Sequence, residues 1–142
     1  MPHLLDEKLF SIALPDSFEI HRDGERLQCV SREPVGVLSL TPEEVENADE
    51  LPNLSRMLAG FLTRSGHPVA TDELLRVSSV SGAHGFSWQY TEDSKYHRLW
   101  LFGNKFCWLL VTFICPQDGV NEFHERLQEL VKTIRLKDGN PD

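Results

Sequence analysis

The chain has 142 residues, 40% of them hydrophobic, and sets 14 basic against 22 acidic side chains for a net charge of -8. That length suits one domain with a buried core, and the acidic balance repels phosphate backbones and anionic lipid heads. Nucleic acid is therefore not an expected partner.

The opening "MPHLLDEKLF" has no basic stretch followed by an apolar one, so it reads as neither a signal peptide nor a lipoprotein sorting sequence. "KLFSIALP" alternates Leu9 or Phe10, Ile12 and Leu14 and stops at Pro15, as a strand does. "SFEIHRDGERLQCVSR" predicts two strands across Asp23-Gly24, and "VGVLSL" a third, ended by Thr41-Pro42. The acidic run "TPEEVENADE" reads as a solvated loop able to steer a basic partner. From Asp49 the period changes: Leu51, Leu54, Met57, Leu58, Phe61 and Leu62 recur at helical spacing along one stripe. Asp49 is the expected cap, Pro52 fits the first turn, and Gly66 before His67-Pro68 ends the helix, which places it at 49–65.

"LLRVSSVS", "GFSWQY", "KYHRLWLF" and "KFCWLLVTFIC" then read as strands, separated by Gly82-Ala83-His84-Gly85, by "TEDS" and by Gly103-Asn104. Sequential strands on short turns pair antiparallel. Asp118 is the expected cap of a second helix, 118–134, with Val120, Phe123, Leu127, Leu130, Val131 and Ile134 along one stripe. The single domain is read as 1–136 and the remainder, 137–142, as a flexible tail.

The most apolar stretch, "HRLWLFGNKFCWLLVTFIC" at 97–115, is interrupted by Gly103-Asn104-Lys105, short of the roughly 20 continuous residues of a membrane span. It predicts a hairpin instead. With Gly103 and Asn104 at the centre of the turn, Trp100 faces Cys107 and Leu99 faces Trp108. Alternation puts Trp100, Phe102, Cys107, Leu109, Val111 and Phe113 on one face and Leu99, Leu101, Phe106, Trp108, Leu110 and Ile114 on the other. Both faces are apolar, and leaving one wet would forgo about 1.5–3 kcal/mol for each large side chain. The strands should be covered on both sides. The expected fold class is α+β: an α/β/α sandwich with an antiparallel sheet of six to seven strands and a helix on each face.

Three segments, "IALPDSFEI", "VSSVSGAHGFSWQY" and "WLLVTFICPQDGVNEFHERLQELVKTIRL", carry a resemblance that covers nearly the whole chain. In them the chain resembles the Mog1/PsbP/DcrB-like superfamily. The resemblance implies a binding scaffold more often than an enzyme. Relatives include a regulator of a nuclear GTPase, an extrinsic photosystem subunit, bacterial lipoproteins and cytosolic chaperones that shield hydrophobic helices of secreted toxins. No family residue maps position by position onto this chain.

Site chemistry is sparse. Cys29, Cys107 and Cys115 form no metal-spaced cluster, and an odd set in strand-like runs suits a reducing cytoplasm. The histidines, His3, His21, His67, His84, His97 and His124, lack the spacing of metal ligands, and no cofactor motif is present. His84, between glycines in "GAHG", is either a turn residue tolerating an unusual φ or a point of close approach for backbone or ligand. Ser81 lies near it, without the G-x-S-x-G elbow of a hydrolase. A five-residue "TEDSK" loop would gather Phe86, Trp88, Tyr90, Tyr96, Trp100 and Phe102 on one face with Arg98 among them, and a change of one residue flips that pairing. Such a set is either core beneath a helix, with Arg98 stacked on Trp88, or a groove for a partner.

The favoured expectation is a non-enzymatic cytoplasmic protein-binding module, extending to a chaperone or immunity-type partner of a secreted effector. A carrier or sensor of a small apolar ligand is the alternative, and a small hydrolase using His84 or His97 the last. No cofactor and no membrane insertion are expected, and an open sheet edge would allow monomer or homodimer.

Overall fold

The computed structural model describes residues 3–32, 35–45, 53–78 and 83–137. β2 (Phe10–Leu14) lies between β1 (His3–Asp6) and β10 (Arg135–Leu136) in a three-stranded antiparallel sheet. β1 and β10 were not expected, because four and two residues are too few to establish an alternating pattern. Lys137, assigned above to the tail, is held there: its N–H donates to Leu9 O at 2.8 Å and its carbonyl accepts from Asn104 Nδ2 at 3.0 Å.

The main sheet has seven antiparallel strands: β3 (Phe18–Asp23), β4 (Arg26–Arg32), β5 (Val35–Glu44), β6 (Leu75–Ser78), β7 (His84–Glu92), β8 (Lys95–Gly103) and β9 (Cys107–Pro116). They lie in the order β3-β4-β5-β9-β8-β7-β6. Among the described residues two α-helices complete the α+β fold, α1 (Leu54–Arg64) between β5 and β6, and α2 (Val120–Lys132) after β9. No helix among the described residues is long and apolar enough to cross a membrane.

Several local expectations change. β5 does not stop at Thr41-Pro42; it runs on to Glu44, with Pro42 opposite Leu109. The last β4–β5 pair is Leu27 with Leu40, so β5 has lost one neighbour by Pro42 and a missing donor is tolerated there. Asn53 caps α1, its Oδ1 accepting from Arg56 N at 3.2 Å, while Asp49, Leu51 and Pro52 lie outside the described residues. Gly66 does take a positive φ of 85°, and His67 N–H closes the helix end on Leu62 O at 2.8 Å. Asp118 does not cap α2; it sits in a short 3-10 turn, Gln117–Gly119, and the N-cap position belongs to Gly119.

The β8–β9 hairpin is displaced four residues from the expected register, with Trp100 opposite Val111 and Gly103 opposite Trp108. Asn104 builds a wider turn. Its side-chain oxygen accepts from the N–H groups of Phe106 and Cys107 at 2.8 and 2.9 Å, and its own N–H donates to Cys107 O. Because the displacement is even, the face assignment survives. Trp100, Phe102, Leu109, Val111 and Phe113 enter one buried cluster with Phe123, Leu127, Leu130 and Val131 of α2. Leu99, Leu101, Trp108 and Leu110 enter another with Leu58 and Leu62 of α1. Phe106 and Ile114, expected under cover, are 40% and 37% exposed because they sit at the hairpin's two ends.

Candidate functional site

The aromatic set is divided. Asp93 and Ser94 have φ of 53° and 63°, so a two-residue turn joins Glu92 to Lys95 in place of the five-residue loop. Thr91, not Tyr90, then faces Tyr96, and the parity flips. Phe86, Trp88 and Tyr90 join the α1 cluster, whereas Tyr96, Trp100 and Phe102 join the α2 cluster. Arg98 packs over the Trp100 ring at 4.7 Å from its centroid, rather than over Trp88. The seven residues therefore do not form one surface.

Part of the set does line a groove. Val77 and Ser78 of β6, Arg98 and Trp100 of β8, and Gln128, Val131 and Lys132 of α2 enclose about 280 Å³. Cross-strand partners share a face, so β7 places only Gly85 and Ser87 between Val77 and Leu75 on one side and Phe102 and Trp100 on the other. These small residues leave room for the large indole, which is buried. Tyr96 donates its hydroxyl to Gln89 Oε1 at 2.6 Å, and burial pushes its pKa up, opposed by the neighbouring Arg98. Arg98 is half-buried, and among the described residues no carboxylate pairs with it.

His84 is the exposed first residue of β7, opposite Ser78 and Gly103, and its φ is not positive. The close approach falls next door. A Cβ on Gly85 would stand 1.9 Å from Leu101 O, so the neighbouring strand uses the space that glycine leaves. Ser81 lies outside the described residues. Ser87 Oγ is buried with no hydrogen-bond partner among them, and so has no base to activate it.

A second cluster was not foreseen. His67, just past α1, stacks on Tyr90 with centroids 3.7 Å apart, and Tyr90 stacks on His97 at 4.7 Å. His67 Nε2 also lies 3.2 Å from Glu92 Oε2. Tyr90 and His97 are cross-strand partners, a pairing legible only once the Asp93-Ser94 turn is known. Burial holds the His97 pKa below its ordinary 6.5, with His67 and Lys95 acting in the same sense and Glu92 and Asp93 opposing. A folded pKa below the unfolded one means that the unfolded chain binds the proton more readily. This contribution to stability is complete above about pH 6.5 and is lost as pH falls toward the folded value. Denaturation between pH 7.5 and 5 should therefore show stability falling with acid, with a smaller slope in His97→Gln; an unchanged slope would remove His97 as the cause. No group of His, Cys, Asp and Glu among the described residues is arranged to hold a metal ion.

No family model matches the chain, and no curated protein matches it in sequence. Solved structures do match its fold. One from Bacteroides thetaiotaomicron VPI-5482 has a TM-score of 0.61 at 18% identity, over 92% of this chain and 46% of that one. This chain thus spans less than half of that protein. LpqN of Mycobacterium tuberculosis, described as involved in cell envelope biogenesis, has a TM-score of 0.58 at 8% identity, over 96% of this chain and 91% of its own. At these identities the likeness is one of fold.

Proposed function

We propose that this protein is a non-catalytic cytoplasmic module that binds another polypeptide, on a Mog1/PsbP-like sandwich with α1 and α2 on opposite faces of the main sheet. The sandwich is supported by the separate clusters of α1 with Leu99 and Leu101 and of α2 with Trp100 and Phe102, since adjacent strand residues point to opposite faces. The cytoplasmic setting is supported by three buried, free thiols.

The observation that carries the reading is the edge at β6, which ends the seven-stranded sheet beside the Arg98–Trp100 groove with no strand beyond it among the described residues. An extended segment can add to such an edge through main-chain hydrogen bonds while a neighbouring pocket takes a side chain. The other edge, β3, carries exposed Glu19, His21, Arg22 and Asp23, the kind of charge that guards against pairing. β6 has only Arg76 and leaves Leu75 52% exposed. A chaperone or immunity-type partnership with a secreted effector is one form this binding would take.

Among the described residues, open grooves of about 240, 280 and 380 Å³ reach only the small end of the roughly 300–1,000 Å³ typical of small-molecule sites. His97 stacks on the Tyr90 ring.

Leu75→Lys tests the reading, because it places a charge on an exposed edge position. Stability should change by no more than about 0.5 kcal/mol. A stoichiometric polypeptide that copurifies with the wild-type chain from its native cells should be lost with the variant. Absence of any such polypeptide, or its retention by Leu75→Lys, would overturn the edge as the binding surface. If the captured chain is a second copy of this protein, sedimentation will show a dimer that the variant dissociates.

A further inference from the structure

We propose that the Arg98–Trp100 groove receives the carboxylate of an aspartate or glutamate on a partner segment laid along β6. The proposal rests on the polypeptide-binding reading and names the chemistry it selects.

Of the chain's nine arginines, eight are exposed and Arg98 alone is half-buried. Some exposed basic side chains find acids: Arg22 pairs with Glu7, Arg32 with Glu19 at 3.2 Å and Lys8 with Glu44 at 2.9 Å. Among the described residues no acid is paired with Arg98, which donates instead to the Tyr96 hydroxyl. Its guanidinium also lies over Trp100, and among the described residues the only other charged group lining the groove is Lys132, on α2. Two cations thus meet in a groove that no acid lines among the described residues, on a chain of net charge -8.

Stacking uses one face of the guanidinium plane and the Tyr96 hydroxyl accepts from one point of its edge, which leaves further N–H donors of the five to meet a carboxylate. Trp100, Val77 and Val131 form apolar walls, and a charge pair beside such walls is screened less than one in open water. Val77 and Ser78 belong both to the groove and to the open edge strand, so a strand added at β6 passes its mouth. That placement selects a carboxylate carried on a polypeptide over a free small acid.

The test is a random-peptide display selection against the full chain, run in parallel on Arg98→Gln and Leu75→Lys, each first shown to melt cooperatively. Wild-type selections should be enriched in Asp or Glu at one position between apolar residues. Exchanging that acid for its amide should weaken binding about tenfold or more, as loss of a charge-assisted hydrogen bond does. On Arg98→Gln the acid preference should vanish, whereas Arg98→Lys should keep part of it. Peptides without acid enrichment that are nevertheless lost in Leu75→Lys would overturn the carboxylate site and leave the edge-binding reading standing. Peptides indifferent to Leu75→Lys, or a selection that yields none, would overturn both.

Discussion

Phe123→Ala is expected to lower the stability of the folded chain by about 3–5 kcal/mol, the usual cost of deleting a buried aromatic ring. Phe123 is 1% exposed, and its ring meets Phe113 edge-on with centroids 4.8 Å apart. Gly36, beneath the pair, has no Cβ because one would stand 2.7 Å from the Phe113 ring and 2.9 Å from that of Phe123. Three elements, β5, β9 and α2, therefore close on the same point, and little there is free to collapse into the cavity. Domains are stable by only about 5–15 kcal/mol, so this one change removes a large share. At roughly 2–4 °C per kcal/mol for a chain of this size, the midpoint should fall by about 10 °C. A loss under about 1 kcal/mol in denaturant titration would show that α2 is not anchored through this ring.

Gly85→Ala is the second large effect. The added methyl would stand 1.9 Å from Leu101 O and 2.8 Å from Leu101 C, and both are backbone, so no rotamer can relieve the contact. Relief requires β7 and β8 to part where Gly85 is paired with Phe102. Overpacking a core costs about 1–3 kcal/mol, and an obstruction of backbone belongs at or above the upper end of that range. Gly60→Ala is the matching control. Its Cβ would meet nothing nearer than Arg64 Nη1 at 3.5 Å, and within α1 it should gain about 0.5–1 kcal/mol. Urea midpoints of the two variants should therefore move in opposite directions; a neutral Gly85→Ala would mean that the two strands are not so closely apposed.

How much of this was legible differs from one feature to the next. The stripes of α1 and α2 were read from spacing, because every turn of a helix repeats the same side-chain direction. The two faces of the β8–β9 hairpin were read correctly although the turn was not, since a slip of four residues preserves parity. At the β7–β8 turn the slip was odd, and one residue was enough to separate Tyr90 from Tyr96 and Trp88 from Trp100. The difference lay in the positive φ of Asp93 and Ser94, which a "TEDS" loop permits without requiring. Arg98 and Trp100 were singled out as chemistry-bearing residues, but the partners that make a groove of them, Val77, Gln128 and Lys132, lie 21, 30 and 34 positions from Arg98.

What the sequence by itself determined is what the covalent chain repeats locally: the strand and helix periods, the apolar hairpin at 97–115, the acidic charge and the glycine stop after α1. Tertiary structure decided what those repeats met. It made β1 and β10 strands by giving them β2 to pair with, put β6 rather than a longer strand at the sheet edge, and stacked His67 on Tyr90 and His97. Period is set within a few residues by backbone geometry, whereas register and neighbours are set by turn dihedrals and by packing between segments far apart in the chain, where no local pattern records them.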